Sequence, residues 1–115
     1  MPRSVPIVLL AALVPATALA HHGWSSYDAN TTLTLSGPIE TASYQNPHGL
    51  ITLTQEGKTW QVVLSPPSRM DRRGLPREDL AVGTPVTVVG YPSRAVADEM
   101  RAERITIGGR TVELR

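Results

Sequence analysis

The stretch "LITLTQEGKTWQVVL", residues 50–64, decides the fold. Ile51 and Leu53 alternate with Thr52 and Thr54, and Trp60, Val62 and Leu64 keep that alternation after Gln55-Glu56-Gly57-Lys58. A period of two puts alternate side chains on opposite faces of a strand, and a short break containing glycine is a hairpin loop. The spacing predicts two antiparallel neighbours, each turning one face toward a core.

Upstream, Leu33, Leu35 and Ile39 alternate with Thr34 and Ser36, and Gly37 falls on the apolar parity, as expected of one long strand that curls. Downstream, "SPPSRMDRRGLPREDLAVG" (65–83) breaks the alternation. Ser65 suits an N-cap, Pro66 the first helical position and Gly74 a stop, and a second short turn runs from Pro76 to Gly83. Thr84–Tyr91 resumes the period with Val86 and Val88, and Met100–Ile107 adds a further strand. Its apolar parity shifts between Ala102 and Ile105, which predicts a β-bulge near Glu103-Arg104. Arg110–Leu114, after Gly108-Gly109, is a candidate edge hairpin. Three strands, a short helical connection and two strands is the order of an all-β, five-stranded OB-fold barrel, whose ligand face lies between two loops, here residues 44–49 and 92–99. A β-sandwich is the alternative, and it needs more strands.

The amino terminus carries a different signal. Arg3, the apolar run Pro6–Val14 and Ala18-Leu19-Ala20, with small residues at −3 and −1, form the three parts of a secretory signal peptide, 1–20, cut after Ala20. An uncleaved anchor is the alternative, but the run falls short of the 18 or so residues that a spanning helix needs. The expected organisation is therefore signal peptide 1–20, an N-terminal metal-binding segment 21–31 and an OB-like domain 32–115, periplasmic and without a transmembrane segment in the mature form. The chain has no cysteine. This excludes disulfides, thiolate metal sites and a lipidated cysteine, and leaves stability to the core. Loss of Arg3 from the 11 Lys and Arg balances them against the 10 Asp and Glu. A neutral surface argues against nucleic-acid or anionic-membrane partners.

Cleavage after Ala20 gives His21 a free α-amine. Such a histidine chelates one ion through its amine and Nδ1, and a remote imidazole completes a T-shaped histidine brace, an all-nitrogen site that suits copper. The remote imidazole is His48 in "YQNPHGL", in the first ligand loop, where Pro47 and Gly49 flank it. His22 is an alternate or fourth ligand. Amine and imidazole both deprotonate readily at neutral pH when metal binds. The opposed reading is a solvated terminus and an ordinary turn histidine.

Around these, Asp28 is a candidate to orient a ligating imidazole or to cap a turn, and Trp24 and Tyr27 to shield the site or to pin the segment to the domain. Tyr44 and Tyr91 stand near the loop mouths as stacking candidates for a non-metal partner, a peptide, glycan or envelope protein. Met70 and Met100 offer thioether sulfur or core filling. Arg69, Arg72 and Arg73 read as a solvated helix face. No nucleophile–base pair or carboxylate pair supports an enzyme, so the expectation is a binding protein.

Beyond these local readings, "AHHGWSSYD", "LSGPIETASYQNPHGLITL", "GKTWQVVLSPPSRMDRRGL" and "GTPVTVVGYPSRA" resemble a family of small exported bacterial proteins known only as a domain of unknown function. Its members are similar in an Ala-His-His cleavage junction, an Asn-Pro-His loop, a Lys-Thr-Trp strand and a Gly-Tyr-Pro turn. The resemblance covers most of residues 20–107 and implies a periplasmic OB-like barrel. Its motif histidines fall on His21, His22 and His48, and Gly23 replaces a common serine.

Overall fold

The structure is a computed structural model that describes residues 2–4, 6 and 23–115. The predicted signal peptide, apart from four of its residues, and the ligands His21 and His22 lie outside the described residues. Among those described, no helix is long and apolar enough to cross a membrane.

The fold is all-β. Seven strands, β1 Leu33–Pro38, β2 Thr41–Ser43, β3 Leu50–Gln55, β4 Lys58–Val63, β5 Pro85–Pro92, β6 Glu99–Ile107 and β7 Arg110–Glu113, join in one sheet. The order is β1-β5-β6-β4-β3-β2, with β7 added on β6. Every pairing is antiparallel except β4 with β6, which run parallel from Gln61↔Glu99 to Val63↔Arg101.

This corrects the expected five-stranded barrel: the sheet has seven strands and is open, with β1 and β2 at its two ends. The predicted first strand is cut at Ile39-Glu40. The Ile39 N–H donates to the Thr84 carbonyl (2.9 Å), and the Glu40 N–H donates to the Thr52 carbonyl (2.8 Å). One residue thus changes the chain's partner from the β5 side to the β3 side, directly after Pro38, which has no N–H to give. The seventh strand is the edge hairpin expected beyond Gly108-Gly109.

The predicted hairpin forms in register from Leu50↔Val63 to Gln55↔Lys58. Glu56 and Gly57 turn it with φ of 53° and 77°, the left-handed pair that a two-residue hairpin loop requires. The bulge also forms where the parity shifts. Val89 pairs with Arg104 and Gly90 with Ala102, so Glu103 is the extra residue. With that residue looped out, Met100, Ala102 and Ile105 all reach the core. Facing them are Leu35, Ile51, Leu53, Val62 and Val88, the residues that set the alternation.

The connection from β4 to β5 holds one helix, α1 Pro67–Arg72, and a 3-10 turn, Arg77–Leu80. Met70, Leu75 and Leu80 from it close one end of the core. The helix begins one residue later than predicted, because Pro66 precedes a proline and is held extended (φ −57°, ψ 143°). Ser65 does not cap it. Its buried hydroxyl donates instead to the Leu114 carbonyl and ties the helix entry to the chain end. The helix arginines do likewise: Arg73 Nη1 donates to the carbonyls of Glu113 (2.7 Å) and Arg115 (2.9 Å). Arg69, whose Nη1 donates to the Leu114 carbonyl (3.4 Å), and Arg73 thus clamp the chain end, while Arg72 is exposed as a solvated-face residue.

Candidate functional site

The site begins with the segment ahead of β1. Trp24–Ser26 form a 3-10 turn, and Tyr27 bridges to Ser93 just after β5. The Asp28 N–H donates to the Pro92 carbonyl (2.9 Å), and the Arg94 N–H donates to the Ser26 carbonyl (3.0 Å). The segment is thus fixed to the sheet by one β-bridge and its flanking backbone bonds. Tyr27 is 2% exposed. Its hydroxyl donates to Glu99 Oε2 at 2.9 Å, and burial together with this carboxylate pushes the phenol well above its usual range.

Trp24 meets the sheet through Arg101 of β6. The Arg101 guanidinium, on a side chain of a residue only 4% exposed, lies 4.3 Å from the Trp24 ring centroid and 6.0 Å from that of Tyr27. Arg115 stacks on Trp24 as well, at 4.6 Å, and Tyr91 meets its ring edge-on at 6.4 Å. Contacts of a cation with an indole face each contribute about 0.5–2 kcal/mol. Burial lowers the Arg101 pKa, and Arg69 and Arg115 add repulsion against a partial gain from Tyr27. An arginine so shifted remains a cation at neutral pH.

Arg101 then joins this corner to the loop between β2 and β3. Its Nη2 stands 3.3 Å from His48 Nε2. Arginine has donors and no acceptor, so Nε2 must present its lone pair, and a neutral His48 carries its proton on Nδ1. The loop is shaped by a cis Asn46–Pro47 bond and anchored by the Gly49 N–H on the Ser65 carbonyl (2.9 Å). His48 also borders a cleft of about 180 Å³, walled by Tyr27, Pro47, Leu50 and Val63 and closed by Glu99.

Of the residues singled out from the sequence, His48 and Trp24 meet through Arg101. Asp28 faces elsewhere. Its carboxylate accepts from the Asn30 N–H (3.0 Å) and the Thr31 hydroxyl (2.9 Å), and these bonds lower its pKa. It caps a turn. The Tyr44 hydroxyl is occupied with the Leu75 carbonyl (2.7 Å) and Asp71 Oδ1 (2.9 Å), and burial and Asp71 push its pKa up to about 12. The Tyr91 hydroxyl donates to Glu103, and that bond raises its pKa. Both tyrosines brace the fold at positions 44 and 91, with Tyr91 also backing Trp24. Met70 and Met100 are core residues. Among the described residues no three His, Cys, Asp or Glu side chains converge on a point.

Sequence reasoning missed Arg101. The one signal was its place between Met100 and Ala102 in a strand whose parity breaks, where the outward side of the sheet is covered by the Trp24 turn.

These features define a small all-β domain with its amino-terminal segment clamped beside a loop histidine. The chain belongs to a family of unknown function, DUF6152, which it matches over residues 9–100. No curated protein matches it.

Proposed function

We propose that this is an exported, periplasmic copper-binding protein, in which His21 ligates through its α-amine and ring, His48 closes the site and His22 is an alternate or fourth ligand. The observation that carries this reading is the clamp on Trp24. Trp24 is only three chain steps from His21, a span of about 11 Å at most. Trp24 is packed on Arg101, and Arg101 touches His48. A chain that starts at His21 therefore starts within reach of the one histidine remote from it in sequence.

The test is copper titration of protein whose first residue is His21, verified by intact mass, against His48→Ala and a form with one extra residue before His21. The reading expects one tight site, weakened at least tenfold in both altered forms. Affinity indifferent to the extra residue would exclude the brace.

The cleft between Pro47, Leu50, Val63 and Glu99 favours a second reading, a module that holds a small apolar group of a peptide, glycan or envelope protein. Its volume is near the ~150 Å³ of cavities that accept a benzene-sized ligand. This reading expects Leu50→Arg or Val63→Arg to abolish capture of a crosslinked partner by metal-free protein, and fails if capture is unchanged.

A further inference from the structure

We propose that the outer edge of β1 is a docking groove for an extended peptide segment of a partner protein, which adds a strand to the sheet between β1 and the β3–β4 hairpin. The groove is separate from the cleft beside His48 and does not depend on the copper reading. The backbone of β1 fixes which groups face it. The Ile39 N–H donates to the Thr84 carbonyl on the β5 side, whereas the Ser36 N–H donates to Gln55 Oε1 (2.9 Å) on the opposite side. Bonding in an antiparallel pair alternates along the strand, so Leu33, Leu35 and Gly37 bond to β5, and Thr34 and Ser36 turn their backbone groups outward. The hydroxyls of Ser36 and Thr87, which face each other, stand 2.9 Å apart, as suits a pair without backbone bonds between them. Among the described residues no strand pairs with that edge. Gln55 Oε1 sits where a neighbouring strand presents a carbonyl. From Thr32 to Gly37 the edge has no lysine, proline or register break, the usual guards against a further strand.

A groove of about 380 Å³ lies in front of this edge, with residues 32–35 on one side and Gln55, Lys58 and Trp60 of the hairpin on the other. Trp60 stands opposite Leu53, a core residue, so its ring lies on the core side of the sheet, partly buried like Leu33. The Lys58 ammonium lies 3.9 Å from the ring centroid and donates to the Ala97 carbonyl (2.8 Å), which holds this wall in place. At Gly37 the groove closes, since a Cβ there stands 3.3 Å from the Thr54 carbonyl oxygen. An added strand therefore pairs over at most about five residues, or roughly 16 Å. Alternation sets its chemistry. Every second side chain points to the core side, where Leu33, Leu35 and Trp60 suit a branched aliphatic group, and the side chains between them face water. Glu56 and Lys58 at the lip balance in charge, so the segment needs no charge of its own. Main-chain bonds supply affinity in this mode, and the pocket for alternate side chains supplies specificity.

The experiment selects binders from a phage-displayed library of random linear peptides, about twelve residues long, and measures the selected sequences as synthetic peptides against the parent, Gln55→Ala and Thr34→Pro. Amide hydrogen exchange at Thr34 reports the site. The selected peptides are expected to alternate aliphatic and polar residues and to slow Thr34 exchange at least about tenfold. Gln55→Ala removes the side-chain carbonyl that competes for the Ser36 N–H, and tightens binding about threefold to tenfold, the equivalent of one hydrogen bond. Thr34→Pro removes an outward N–H on an edge strand, where proline is tolerated, and weakens binding at least about tenfold. If that variant fails to fold, Gln55→Ala and the exchange of Thr34 decide. A selection that yields no binder, peptides that leave Thr34 exchange unchanged, or an affinity not raised by Gln55→Ala overturns the proposal. An oligosaccharide that binds against Trp60 while Thr34 still exchanges freely also overturns it, in favour of a sugar site.

Discussion

Gly90→Ala is the most severe single-methyl change this sheet can receive. Gly90 lies on β5 opposite the bulge, and a Cβ built there meets the Arg101 carbonyl oxygen at 1.9 Å, the Arg101 carbonyl carbon at 2.7 Å and Ala102 Cα at 2.8 Å. All three are backbone atoms, so no side chain can swing aside. Real Cβ contacts are not seen below 3.0 Å. Relief therefore requires β5 and β6 to part by about 1 Å from their usual 4.7–4.9 Å spacing, which stretches ladder bonds of about 2.9 Å past the hydrogen-bonding limit. Two weakened bonds at about 1 kcal/mol each, with the packing lost around them, give about 3 kcal/mol or more. With a urea slope of about 1.5 kcal/mol/M, the unfolding midpoint falls by about 2 M. Because two of the three clashing atoms belong to Arg101, on which Trp24 stacks, the tryptophan fluorescence of Trp24 should change in the folded variant as well. An unfolding free energy within about 0.5 kcal/mol of the parent would refute the close approach of β5 and β6.

Other expectations concern the core, the chain end and the phenols. Leu53→Ala empties a fully buried position and should cost about 2–5 kcal/mol in denaturant unfolding. Ser65→Ala removes the buried hydroxyl donor to the Leu114 carbonyl and leaves it only the longer bond from Arg69 (3.4 Å), for a loss of about 1 kcal/mol and faster amide exchange in β7. All three tyrosines are shifted upward, so the folded protein should show well under half of the tyrosinate absorbance at 295 nm that free phenol reaches at pH 10. The fold favours the neutral phenols. Their stabilisation is complete below pH 10 and lost as the pH rises through the higher folded values, so alkaline unfolding and tyrosine ionisation should coincide. Asp28 runs the opposite way: its folded pKa is depressed, so its contribution is present above about pH 4 and lost as the pH falls further, and Asp28→Asn should remove that part of the acid limb.

The hairpin at Glu56-Gly57 and the bulge at Glu103 were legible because each follows from local parity. A one-residue shift in the period leaves only one place for the extra residue. The break at Ile39-Glu40 was not legible, since both residues look strand-like and the change of partner is set by where Thr84 and Thr52 stand in the folded sheet. Ser65 misled for the same reason. A serine before a proline pair has the chemistry of a cap, but a buried carbonyl from the far end of the chain claimed its hydroxyl. Of the site, His48 and Trp24 were visible as residue types. The cation between them was not, because a buried arginine depends on a ring 77 positions away in sequence.

The β-bridge at Tyr27 also acts as a gauge. Its backbone bonds to residues 92 and 94 and the seat of Trp24 on Arg101 fix one point of the chain against the sheet. From that point the position of a free amine is set by a count of residues, in steps of about 3.5 Å. On the proposed copper reading, the protease that trims the leader would be the last toolmaker of the metal site: a cut displaced by one residue would yield the same domain with its amine out of register.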